Sequence, residues 1–255
     1  ICQSDYNELL YDINIGSIKV FVFLYNKFAV MYYFLRRYYL LFVTVLLIVG
    51  TPDLHAQVND YENNYESLEF KLLVASSKGD TGSIRSLVTA GAFIDTQTFG
   101  EGNSSLIYAI LNNHDAAVIM LLQLGADPDL RNYYGESPLH VAIKEQKLTA
   151  AELLIKNDAN INIRDSNGAT PLHYAALNGF FYEADMLIYY EAFTDYESDD
   201  GTTPLMAAVM AGNFDIADIL IQNRADVNST DKMGYTPLLI AAQNGDTAMI
   251  ELLLL

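Results

Sequence analysis

A glycine returns every 33 residues along most of this chain, at Gly102, Gly135, Gly168, Gly201 and Gly234. The text that follows it returns as well: SSLIYAILNN (104–113), SPLHVAIKEQ (137–146), TPLHYAALNG (170–179), TPLMAAVMAG (203–212) and TPLLIAAQNG (236–245). A fixed period of this length predicts a stacked array of one supersecondary unit. Each unit of such an array buries its apolar face only against its neighbours. The product is a long scaffold with an extended surface, which is a poor frame for an enclosed catalytic pocket.

Residues 165–197 show how one unit is written. Asp165 to Gly168 reads as a tight turn, with the glycine supplying a positive φ. Thr170 stands where a helix N-cap belongs. Pro171 follows at the first helical position, where a missing N–H costs nothing and the fixed φ is already helical. Leu172, Ala175 and Ala176 make one face of a short helix, and Asn178-Gly179 ends it. A second helix is expected from about Tyr182 to Tyr190, with Ala184, Leu187 and Ile188 at core spacing.

The other units follow the same plan. Their second helices carry VIMLL (118–122), AELLI (151–155), ADILI (217–221) and MIELLLL (249–255), and their exits read GADPD (125–129), NDANIN (157–162) and NRADVN (223–228). The repeated T/S-P-L core at one phase, extended to T/S-P-L-H at 137–140 and 170–173, resembles the ankyrin repeat family over about residues 66–255. The resemblance implies an all-α solenoid of stacked helix-turn-helix units with projecting hairpin loops. It divides the array into a capping repeat 66–98, units 99–131, 132–164, 165–197 and 198–230, and an incomplete unit 231–255. The motif residues so assigned are Gly135, Pro138, His140, Gly168, Thr170, Pro171, His173, Gly201, Pro204, Gly234 and Pro237. The resemblance also implies that His140 and His173 join a hydrogen-bond network between neighbouring loops and a helix start. Two departures stand out. Ser105 replaces the proline of the second unit. Ala92 and Ala126 are 34 apart where later equivalent alanines are 33 apart, so one loop is a residue longer. The apolar run at Leu255 predicts that the natural protein continues.

The formal net charge is −18, and residues 1–56 contribute four acids and four bases, so the excess falls on the repeats. A field of that sign disfavours nucleic acid and anionic membranes and favours solubility or basic partners. Residues 31–56 read as an export signal: Met31, the basic pair Arg36-Arg37, an apolar stretch Leu40–Val49, and cleavage after Ala56 to leave Gln57. The alternative is a membrane anchor formed from residues 18–50. The continuous apolar run is about 13 residues, short of the roughly 20 a spanning helix needs. Residues 1–30 have no clean period and read as an uncertain upstream segment, and 57–65 as a linker. The sole cysteine, Cys2, lies in the upstream segment. The expected location is exported, periplasmic or extracellular.

Catalytic signatures are missing: no nucleophile elbow, phosphate-binding glycine loop or metalloprotease helix occurs. His140 and His173 without a third ligand make a poor metal site, and the acidic stretch Asp195, Glu197, Asp199, Asp200 reads as a hairpin tip rather than a calcium loop. No cofactor or metal is expected. His114 is expected to face solvent, and Asn103 and Asn228 open glycosylation-type triplets. The family resemblance implies binding of a protein or peptide on the concave face and loop tips, with no catalysis. The candidate contacts are Tyr133, Tyr134, Glu136, Tyr174, Asp199, Asp200, Met233 and Tyr235, joined on the first helices by Val141, Lys144, Leu177, Met210, Ile240 and Gln243. An acidic groove with tyrosines suits a basic partner. The rival readings are a targeting arm for an enzyme domain beyond Leu255 and a membrane-tethered scaffold.

Overall fold

A computed structural model describes residues 67–254 and two strands near the start of the chain. The chain divides into two units, Ile1–Asn63 and Asn64–Leu255. In the first unit, β1 (Tyr11–Ile15) pairs antiparallel with β2 (Ile18–Val22), with Ile15 opposite Ile18. Residues 1–30 carry no clean period that would predict this hairpin. The leader 31–56 and the linker 57–65 lie outside the described residues.

The second unit is a stack of six helix pairs: α1 (Leu68–Ser77) and α2 (Thr81–Thr89), α3 (Ser105–Leu111) and α4 (Asp115–Gln123), α5 (Pro138–Lys144) and α6 (Leu148–Lys156), α7 (Pro171–Asn178) and α8 (Phe181–Tyr189), α9 (Pro204–Ala211) and α10 (Phe214–Gln222), α11 (Pro237–Asn244) and α12 (Thr247–Leu253). Each first helix packs on the first helices of its neighbours, and each second helix on the second helices, so two helical layers run along the array.

The helices start where the repeated phrase says they should. Ser104, Ser137, Thr203 and Thr236 each accept the backbone N–H three residues on, at 3.2–3.3 Å. α7 ends at Gly179, which takes the left-handed conformation at φ 75° as the C-cap. The second helix of this unit starts at Phe181, one residue earlier than expected, and Ile188 is only half-buried.

One continuous core threads the layers. Leu106, Leu139, Leu172 and Leu205, one per unit at the same phase, are all essentially inaccessible, as are Leu121, Leu154, Leu187 and Leu220 of the second helices. The alanines between them, among them Ala142, Ala175 and Ala208, are fully buried and let the helices approach closely. Burying a leucine side chain stabilises by about 1.5–3 kcal/mol. Here that gain is made across unit boundaries, because each first helix packs on the first helix of the next unit.

Hairpins join successive units. Asn132, Asp165, Ser198 and Asp231 each donate their backbone N–H to the carbonyl four residues on, and Gly135, Gly168, Gly201 and Gly234 donate back to them. In the second unit the loop closes one residue wider, from Thr98 N to Asn103 O. That is where the extra residue signalled by the Ala92–Ala126 spacing resides. Neighbouring hairpins are tied by Tyr133 N to Glu101 O, Asp199 N to Asn167 O and Lys232 N to Asp200 O, at 2.8–2.9 Å.

A second set of ties was invisible in the sequence. Asp95, Asp129, Asn162 and Asp195 each use Oδ1 to accept the backbone N–H of Asp127, Asn160, Phe193 and Asp226 in the following unit, at 2.8–3.0 Å. These exits thus form a side-chain ladder up the array. Part of the acidic excess has this structural use.

Candidate functional site

The histidines of the repeated phrase are positioned by backbone at both ring nitrogens. His140 Nε2 lies 3.0 Å from Ala169 O, and His173 Nε2 lies 2.9 Å from Thr202 O, each carbonyl belonging to the next hairpin. A carbonyl only accepts, so Nε2 carries the proton. Nδ1 is then the acceptor, and it takes the backbone N–H of Ser137 at 3.3 Å and of Thr170 at 3.0 Å. Both rings are buried. Burial depresses both pKa values, that of His140 to about 4. These are neutral clamps between a helix start and the next loop. Among the described residues no cluster of three or more histidine, cysteine or carboxylate side chains could hold a metal ion.

His114 does not face solvent, as the sequence had suggested. It is half-buried over Gly79, and its Nε2 lies 3.2 Å from Ser77 O in the preceding unit. Asn213, at the same place three helix pairs along, donates Nδ2 to Ala176 O at 2.7 Å. Asn103 is also buried. Its amide donates to Glu101 at 2.7 Å and its carbonyl accepts from Asn132, so it is no surface acceptor, whereas Asn228 is exposed.

Between the hairpins and the first helices lies an open groove of about 680 Å³, bounded by Glu101, Tyr133, Tyr134, Lys144, Glu145 and Tyr174 among others. Tyr133 and Tyr134 are 62% and 60% exposed. The backbone under them is pinned: Tyr133 N donates to Glu101 O and Tyr134 N to Asn132 Oδ1 at 3.0 Å. Tyr174 is half-buried, with its hydroxyl donating to Asp165 Oδ2 at 2.6 Å and its ring edge-on to His140 at 5.6 Å. Lys144 Nζ stands 5.5 Å from the centre of that ring and pairs with Glu136.

Burial opposes the charge on Asp165. Hydrogen bonds from Tyr174 and from the backbone N–H groups of Asn167 and Ala169 outweigh it and hold the carboxyl below the usual range. Burial and the bond to Asp165 push the Tyr174 phenol up. At this point the groove therefore offers a neutral Tyr174 phenol bonded to an ionised Asp165 carboxylate.

The other candidates divide. Glu136 faces the groove, but its carboxylate is engaged by Lys144 and by Asn132 at 3.2 Å. Asp199 pairs with Arg164 at 3.0 Å, and Asp200 accepts Ser198 Oγ and Thr202 N within its own hairpin, so these carboxylates shape the tip. Met233 is 80% exposed, and Tyr235 is half-buried against the core. Leu177, Met210, Lys144 and Gln243 are exposed on the first helices, but Val141 and Ile240 are buried and belong to the core. The sequence missed Glu145 and Leu111, which line the groove from the ends of α5 and α3. Their polarity pattern carries no mark that separates them from ordinary surface positions.

A family model of ankyrin repeats matches residues 72–165, 124–196, 139–231 and 184–255 in overlapping copies. This chain belongs to the ankyrin repeat family. It is also similar to the transient receptor potential cation channel subfamily A member 1 homolog of Caenorhabditis elegans, at 36% identity over 92 residues. That stretch is 36% of this chain and only 7% of the channel homolog. Ankyrin repeats generally bind protein partners, and the family is typically non-catalytic. No helix among the described residues is long and apolar enough to cross a membrane.

Proposed function

We propose that this ankyrin array is a non-catalytic binding module that takes a Lys- or Arg-bearing protein segment in the groove between its hairpins and first helices. The observation that carries this reading is the pair Tyr133 and Tyr134, exposed above an acid-lined groove on backbone already fixed by hydrogen bonds. A ring on fixed backbone has only two side-chain torsions to lose on binding, which is what makes a tyrosine a productive contact. Glu101, Glu145 and Asp165 supply the complementary charge.

A photoreactive phenylalanine analogue at position 134 tests this in cells making the full chain, with the same analogue at Ala116 of α4 as the control. The expected result is a discrete protein adduct from position 134 alone, joined through a basic segment. Adducts from both positions, or from neither, would overturn the reading. We also propose that the chain is exported and cut after Ala56. The basic pair and apolar stretch of 31–49 support this, and N-terminal sequencing should then begin at Gln57. A mature protein that keeps Met31 in a membrane pellet would show the anchor instead.

A further inference from the structure

The unit built on α7 and α8 differs from its neighbours in composition. Residues 180–200 hold seven aromatic side chains, seven carboxylates and no lysine or arginine. The second helices α4, α6 and α12 contain no aromatic residue, and α10 contains Phe214 alone. Core packing uses Phe180 but does not account for Tyr182, Tyr189 and Phe193. Tyr182 is 74% exposed, Tyr189 79% and Phe193 60%. Tyr182 and Tyr189 are seven residues apart on α8, so they share one stripe about 10 Å long. Phe193 follows just past the end of the helix.

The exposed rings are braced. Tyr189 meets Tyr190 edge-on at 5.1 Å, and Tyr190 is itself held by its hydroxyl bond to Glu152 at 3.1 Å. Phe193 stacks on Tyr196 at 5.7 Å, and its backbone N–H is tied to Asn162. Phe193, Tyr196, Glu191, Asp195 and Glu197 border an open cleft of about 970 Å³, which shares no lining residue with the tyrosine groove. The cations at its margin are Arg164, already paired with Asp199, and Lys232.

A solvent-facing row of ring faces interleaved with carboxylates attracts a planar cation twice over. The ring quadrupole draws the charge, and the carboxylates add long-range attraction. We propose that α8 and the loop after it form a second docking surface, for an extended arginine-rich segment that lays guanidinium groups on Tyr182, Tyr189 and Phe193. The charge balance of the region selects this occupant: seven carboxylates repel nucleic acid and anionic lipid alike.

The test uses the full chain and a fluorescently labelled nona-arginine peptide, with nona-citrulline as its neutral counterpart. The triple variant Y182A/Y189A/F193A removes three exposed rings and leaves the charge untouched. Each exposed ring contact is worth roughly two- to fivefold in affinity, so the variant should bind nona-arginine at least about tenfold more weakly. The comparison is repeated in the background of the groove variant Y133A/Y134A, where any nona-arginine held by the tyrosine groove is removed and loss of the three α8 rings should still cost about tenfold. Matching circular dichroism melts show that the triple variant is folded. If that variant is unfolded, Y182L/Y189L/F193L keeps the apolar bulk and must show the same loss. Equal binding by natural chain and variant, equal binding of nona-citrulline, or loss only in the groove variant would each overturn the proposal. The last of these would leave the groove reading standing. Ring-dependent binding to neutral phosphatidylcholine vesicles without nona-arginine binding would overturn it in favour of a lipid surface.

Discussion

Ser105 occupies the first position of α3, the place that proline takes in the four later units. Its hydroxyl is buried and finds no hydrogen-bond partner among the described residues. Ser104 before it is already extended, at φ −81° and ψ 169°, the conformation a following proline requires. Ser105→Pro should therefore stabilise the chain. It removes a stranded hydroxyl and restricts the unfolded chain without disturbing the helix. A gain on the order of 1 kcal/mol is expected, read as a shift of the urea midpoint at constant slope. A loss would mean that the hydroxyl has a use the static structure does not display. The same scale explains a weakness elsewhere. The residue before each exit alanine is left-handed, and it is Gly125 in one unit but Glu191 at φ 64° in another. A side chain there adopts a backbone that glycine takes without cost.

The helix pair with its following hairpin is the next level, and the histidine clamps belong to it. In the folded state both imidazoles are held neutral below their ordinary pKa, and the unfolded chain protonates near 6.5. The unfolded state therefore binds more protons as pH falls, so the contribution is complete above about pH 6.5 and is lost toward pH 4. For His140 the loss amounts to about 2 kcal/mol by pH 5. The double variant H140L/H173M, which borrows the residues found at Leu239 and Met206, should lose less stability than the natural chain between pH 7 and 5. Parallel pH profiles for the two chains would remove the clamp from the account. The helices of these units were legible because their signals are local: a hydroxyl N-cap, a proline beside it and a glycine at the end. The clamps came only through the family resemblance. The ladder from Asp95 to Asp195, the bond from His114 to Ser77 and the burial of Asn103 were not legible at all. Each depends on a group 29 to 37 residues away in an adjacent unit, and no window along the chain contains both ends. The tyrosine groove was legible in part, because hairpin tips have a known phase. Val141 and Ile240 were misread because a helix this short turns a neighbouring position from surface to core within one residue.

At the scale of the whole array, the links that join units run between adjacent ones: leucine to leucine, histidine to carbonyl, exit side chain to exit amide. Among the described residues, none of these links joins one end of the array to the other. The clamps at His140 and His173 bind the unit of α7 and α8 to both of its neighbours, and the surface proposed on α8 belongs to that unit.

The exit ladder has the character of a lattice with translational symmetry. Asn162 offers an acceptor to whatever amide comes 31 residues later, and its present partner is Phe193. Excising residues 165–197 would bring Asp226 N to the same acceptor and Thr202 O to His140. The shortened chain should heal its own seam and unfold in a single urea transition at a lower midpoint. Excising only 168–197 leaves the downstream half out of step, and that chain should not show cooperative unfolding. If both fail, the units are individuals and not copies. If the first succeeds, the number of units is a free variable that lineage can raise or lower without redesigning a single contact.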